Sequence, residues 1–72
     1  MKNERIEKLG FNIKIERLRK KLSQLQLAEL AHISVETVKK VENGRQTPSV
    51  FVFFDIAKAL EISPEILYKD IE

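Results

Sequence analysis

The 72-residue sequence contains no cysteine and no tryptophan, two glycines, two prolines and a single histidine. Without cysteine no disulfide can staple the fold and no thiolate zinc site can form, so the expected setting is reducing, that is, cytoplasmic. Too few glycines and prolines are present for a flexible linker or a low-complexity tract. The remainder, 43% hydrophobic and 33% charged, describes one small domain rather than a tail. The longest apolar run, Val50–Phe54, is too short for a signal-peptide core or a membrane span, so no export and no membrane partner are expected.

These scarcities also bear on chemistry. There is no glycine-rich phosphate loop, and the carboxylates are scattered along helix surfaces with no pocket to perturb them. A chain this short buries only about 60% of its unfolded surface, which leaves little material for a walled cavity. An enzyme is therefore not expected, nor any cofactor or metal.

Charge is present, but unevenly. The formal net charge is +2, yet residues 1–23 carry eight Lys/Arg against three Glu, residues 24–47 balance, and residues 48–72 carry two Lys against five acids. A basic N-terminal third suits a polyanion, although a solvated helix face has the same composition.

Helix starts are marked three times by an apolar residue, a serine, and an apolar residue four places beyond it: Leu22-Ser23…Leu27, Ile33-Ser34…Val38 and Ile62-Ser63…Leu67. Each serine is an N-cap for the orphan amides of the first turn, and each apolar pair is a hydrophobic staple. Gln26 completes a capping box with Ser23, and Pro64 suits the first helical position after Ser63. Gly44 marks the end of the helix that starts at Val35. A first helix of about 10 to 18 residues is expected through Leu9, Ile13, Arg17 and Lys20, with Asn3 as a possible cap. After Thr47-Pro48-Ser49 a fourth helix carries Val50, Phe53, Ala57 and Leu60 as one apolar stripe. Val50–Phe54 alone would suit a buried strand, but the helical stripe continues and no second strand exists to pair with it. Five helices result.

Only His32, Ile33 and Ser34 separate the second helix from the third, which is helix-turn-helix spacing. At 100° per residue Ser34, Val38 and Val41 fall on one side of the third helix, the expected core face. Val35, Glu36, Lys39, Lys40 and Asn43 fall opposite, facing solvent. Any amphipathic helix shows such a split, so the pattern alone does not establish recognition.

The stretch Leu22-Ser23-Gln24-Leu25-Gln26-Leu27-Ala28-Glu29-Leu30-Ala31, with Ile33-Ser34, Thr37-Val38, Val41-Glu42-Asn43-Gly44-Arg45 and Pro48-Ser49, closely resembles the Cro/CI-type (xenobiotic-response-element) helix-turn-helix family. The likeness runs ungapped from about Leu9 to Tyr68, within what is expected to be a single domain over residues 1–72. It implies an all-α fold, a five-helix lambda-repressor-like DNA-binding domain with the helix-turn-helix at helices 2 and 3. The function it implies is a sequence-specific transcriptional regulator of double-stranded DNA, in the form of a repressor. Carried over by position, Val35, Glu36, Lys39 and Lys40 fall where base edges are read. Lysine can donate to guanine, Glu36 can accept from cytosine, and Val35 can pack on a thymine methyl. Glu36 has a second reading, as a solvated charge that repels phosphate in non-cognate complexes. Gln24, Thr37, Asn43 and Arg45 match phosphate-contacting positions, which orient the protein without specifying sequence. Arg17 and Glu42 match an ion pair between helices 1 and 3, and are assigned to structure. His32 stands where the family usually has glycine, as a left-handed turn residue.

Phe51, Phe54, Ile66, Tyr68 and Ile71 are more apolar surface than a chain of this size readily buries. Because the family generally dimerises through its C-terminal helices, these residues are the expected dimer interface of a two-fold homodimer on a palindromic operator, with recognition helices about 34 Å apart. No sensing domain is expected after the fifth helix, and a regulatory protein partner is left open. The alternative from another class is a protein-interaction module, such as an antitoxin or adaptor, on the same fold.

Overall fold

The computed structural model describes residues 3–72, which form five helices: α1 (Glu4–Arg19), α2 (Gln24–Ala31), α3 (Val35–Glu42), α4 (Val50–Ala59) and α5 (Pro64–Leu67). Among the described residues there is no strand, and no helix is long and apolar enough to cross a membrane. Asn3 caps α1 by accepting from the amides of Arg5 and Ile6. Lys20 lies just beyond the end of α1 and is exposed, so the polar end of the expected first helix stops one residue short.

One local device connects most of these helices. Leu22, Ile33 and Ile62 each donate their amide to the carbonyl five residues back, while the residue before each donates three residues back and sits in the left-handed region. Lys21 (φ 58°), His32 (φ 59°) and Glu61 (φ 56°) hold that strained position, and Gly44 (φ 71°) holds it after α3. These are Schellman ends, which satisfy the last carbonyls of each helix. The next serine then caps the following helix: Ser23 accepts from Gln26, Ser34 from Thr37 and Ser63 from Glu65. The triplet of left-handed residue, apolar residue and serine therefore closes one helix and opens the next. At Ser23 the box is complete, because Gln26 Oε1 accepts the Ser23 amide in return at 2.8 Å.

The core is built from Leu9 and Ile13 of α1, Leu27, Ala28 and Ala31 of α2, Val38 and Val41 of α3, Ile56, Ala57 and Leu60 at the end of α4, and Leu67 of α5. The α4 stripe differs from the sequence expectation at two positions. Val50 is exposed, and Ile56, absent from the expected stripe, is fully buried. The buried residues of α4 lie in its C-terminal half; of its first turn Val52 and Phe53 pack partly against the core, while Val50 and Phe51 stay exposed. From α1, Asn12 Nδ2 donates to the carbonyls of Leu67 and Lys69, both at 2.9 Å, which ties the short α5 down.

Candidate nucleic-acid interface

Helix α3 is held by its two ends. At its start, Ser34 Oγ accepts the Thr37 amide at 3.1 Å and lies 2.8 Å from the Thr37 hydroxyl. Ser34 is exposed in this capping role rather than part of the core face to which its angle assigns it. Val35 departs in the opposite sense: it is half-buried and packs against the core. A helical-wheel angle places a side chain about one axis only and ignores such neighbours.

At the other end of α3, Glu42 is buried and its carboxylate accepts three hydrogen bonds. Arg17 Nε donates to Oε2 at 2.7 Å and Arg17 Nη2 to Oε1 at 3.0 Å, a bidentate pair in which both side chains are almost fully covered. Gln24 Nε2 supplies the third, to Oε1 at 3.1 Å. Arg17 Nη1 continues to the Leu22 carbonyl at 2.8 Å. Among the described residues no buried side-chain nitrogen or oxygen lacks a partner, so the desolvation of both charges is met by hydrogen bonds. The same crossing explains Gly10: a Cβ there would collide with the Val41 carbonyl oxygen and lie 2.9 Å from that of Glu42, so α1 lies directly on the backbone of α3's last turn. Gly44 is similarly pressed on Glu7.

With that frame fixed, the outward face of α3 presents Glu36, Lys39 and Lys40 to solvent, and Asn43 and Arg45 follow exposed in the next loop. Lys39 Nζ is 4.0 Å from Glu36 Oε1. A pair this exposed is worth about 0–1 kcal/mol, so both side chains are free to exchange that contact for another. Thr37 is half-buried at the edge of this face. Gln24 is half-buried with its amide turned inward to Glu42, a bond that the sequence reading did not foresee.

A family profile described as Helix-turn-helix matches residues 13–67, which include every residue of this frame except Gly10 and Glu7. The chain belongs to the helix-turn-helix family, in its Cro/CI branch. Other members resemble it along most of its length. An uncharacterised HTH-type transcriptional regulator of Mycobacterium tuberculosis is 41% identical over 59 residues, spanning 82% of this chain and 42% of that protein. The chain thus spans less than half the length of the curated relatives that it matches. Among solved structures, the restriction-modification controller protein C.AhdI of Aeromonas hydrophila superposes with a TM-score of 0.88 at 32% identity, over 90% of this chain and 98% of that one. The clp gene regulator ClgR of C. glutamicum superposes with a TM-score of 0.82 at 25% identity, over 88% and 82%.

Phe51 is 78% exposed, and Phe54, Ile66 and Tyr68 are also exposed. Ile71 is half-buried against the core, and the Tyr68 hydroxyl accepts from Arg5 Nη2 at 2.6 Å. Phe11, Leu18, Leu25 and Leu30 are also more than half exposed, none of them expected at the surface from sequence, as is Val50, which was expected in the apolar stripe. Phe11 and Leu18 follow a seven-residue spacing along the side of α1 opposite Ile13, a pattern that could have revealed them. Among the described residues no cluster of three or more His, Cys, Asp or Glu is placed to hold a metal ion.

Proposed function

We propose that the protein is a transcriptional regulator that binds double-stranded DNA as a homodimer, inserts α3 into the major groove and represses by occupying a palindromic operator. The observation that carries this reading is the exposed face of Glu36, Lys39 and Lys40 on a short helix whose far end is locked by a buried bidentate ion pair. Rigid presentation of side chains is what base reading requires. Val35, Glu36, Lys39 and Lys40 read base edges, and Gln24, Thr37, Asn43 and Arg45 touch phosphate. Phe51, Phe54, Ile66, Tyr68 and Ile71 face the second subunit. The printed descriptions of the relatives, transcriptional regulators and a restriction-modification controller, support the same reading.

Selection of bound duplexes from a random pool tests it. An enriched inverted repeat is the expected result, with Lys39→Ala and Lys40→Ala each weakening binding and lowering its salt dependence by about one counterion. No enrichment, or unchanged affinity and salt slope in both variants, would overturn DNA reading by α3. The apolar side chains away from the C-terminal helices, Phe11, Leu18, Leu25 and Leu30, favour a second reading in which the same fold binds a protein. That reading gains if selection fails.

A further inference from the structure

Helices α2 and α3 have eight residues each and are joined by the turn at His32-Ile33-Ser34, so they form two arms of about 12 Å meeting at a hinge. The turn and the Ser34 cap define the angle at the joined ends, and at the open ends Arg17 of α1 bonds both the Leu22 carbonyl, just before α2, and the Glu42 carboxylate. Gln24 is the first residue of α2 and Glu42 the last of α3; their hydrogen bond crosses between the far ends of the arms and closes a triangle. The direction of this bond is chemically unambiguous, since a carboxylate has no proton to give and the amide nitrogen of Gln24 must face it. One amide hydrogen is used in this way, and the other makes no bond to the described residues. Gln24 is also the half-exposed member of a network whose remaining side chains, Arg17 and Glu42, are buried.

The geometry points to Gln24 as a positioning residue for the recognition helix: its amide ties the start of α2 to Glu42, so that a phosphate taken by its second N–H bears directly on the angle at which α3 meets the bases. This rests on the DNA-reading proposal and deepens it. A residue that only touches phosphate carries no sequence information, and its loss weakens binding to all duplexes alike. A residue that sets the angle of α3 acts on specific complexes above all, because only these depend on the register of Glu36, Lys39 and Lys40 against base edges.

The ratio of operator to non-specific affinity therefore separates the two roles. The experiment measures dissociation constants of the full chain for the selected operator and for a scrambled duplex of equal length. It compares wild type, Gln24→Ala, Gln24→Lys and, as a phosphate-only control, Arg45→Ala, with far-UV circular dichroism to confirm that each is folded. Gln24→Ala lowers the ratio about tenfold, the factor carried by one hydrogen bond to a charged group. Gln24→Lys, whose ammonium can donate to Glu42, keeps the ratio while strengthening binding to both duplexes. Arg45→Ala weakens both and leaves the ratio unchanged. Equal losses on both duplexes in Gln24→Ala, or no loss, would overturn the positioning role while leaving DNA reading intact. A wild-type protein with no preference among duplexes would overturn DNA reading, and the positioning role with it.

Discussion

Removing one partner of the Arg17–Glu42 pair is the most severe single perturbation that the structure offers. In Glu42→Leu the Arg17 guanidinium keeps only the Leu22 carbonyl; in Arg17→Met the Glu42 carboxylate keeps only the Gln24 amide. Both side chains are more than nine-tenths covered, so water cannot replace the lost partner. An uncompensated buried charge of this kind costs about 3–5 kcal/mol. Against a total stability of roughly 4–11 kcal/mol for a domain of this length, each single variant should lose between about a quarter and all of it. The melting temperature should fall by more than about 10 °C. The double variant Arg17→Met/Glu42→Leu removes both charges and fills the space with apolar atoms, so it should be more stable than either single variant, with a coupling of at least about 2 kcal/mol. Urea unfolding followed by circular dichroism at 222 nm is the suitable assay, since the chain has no tryptophan and one tyrosine. Single variants that each lose less than about 1 kcal/mol, or a double variant whose loss is the sum of both, would refute the claim that desolvation makes this pair matter.

Four other substitutions probe separate features of the structure. Gly10→Ala, which in an open helix gains about 1 kcal/mol, should here cost about 1–3 kcal/mol, because its methyl meets the backbone of Val41 and Glu42; a higher midpoint in urea would contradict the close approach. His32→Gly and Glu61→Gly should each stabilise by about 0.5–1 kcal/mol, since relief of the left-handed conformation outweighs the added chain entropy, and a lowered melting temperature in both would show that their side chains contribute more than strain. Phe51→Glu should weaken self-association by more than about 30-fold in sedimentation without altering the monomer's fold, and an unchanged dimer mass would remove Phe51 from the interface.

The exposed apolar residues show why sequence reasoning stops short at surfaces. Phe51 and Phe54 stood out because a strong apolar run draws attention to itself, whereas Leu25 and Leu30 are as exposed as Phe54 within a helix whose other leucine, Leu27, is core. Nothing in the alternation of leucines along α2 says which will be covered, since that depends on where α3 and α4 come to rest.

What could be read from residues alone was whatever is local. The three serine caps, the box at Ser23 and the solvent-facing set Glu36, Lys39 and Lys40 follow from contacts within about five residues, whereas the left-handed turn at His32 was legible only through the family resemblance. The position of α1 across α3 was different in kind. Gly10 could be recognised as a crossing point, Gln24 as a partner of Glu42, Val35 as half-buried and Ile56 rather than Val50 as core only after segments far apart in sequence had packed. The left-handed residues Lys21 and Glu61 lie between these cases: their bonds are local, but no residue preference announces them, and the strain is tolerated because the apolar residue that follows each is drawn into the core. Local chemistry thus defined the helices and their ends, and packing together with hydrogen bonds between distant segments, those of Arg17 and Gln24 to Glu42, defined the placement of α3.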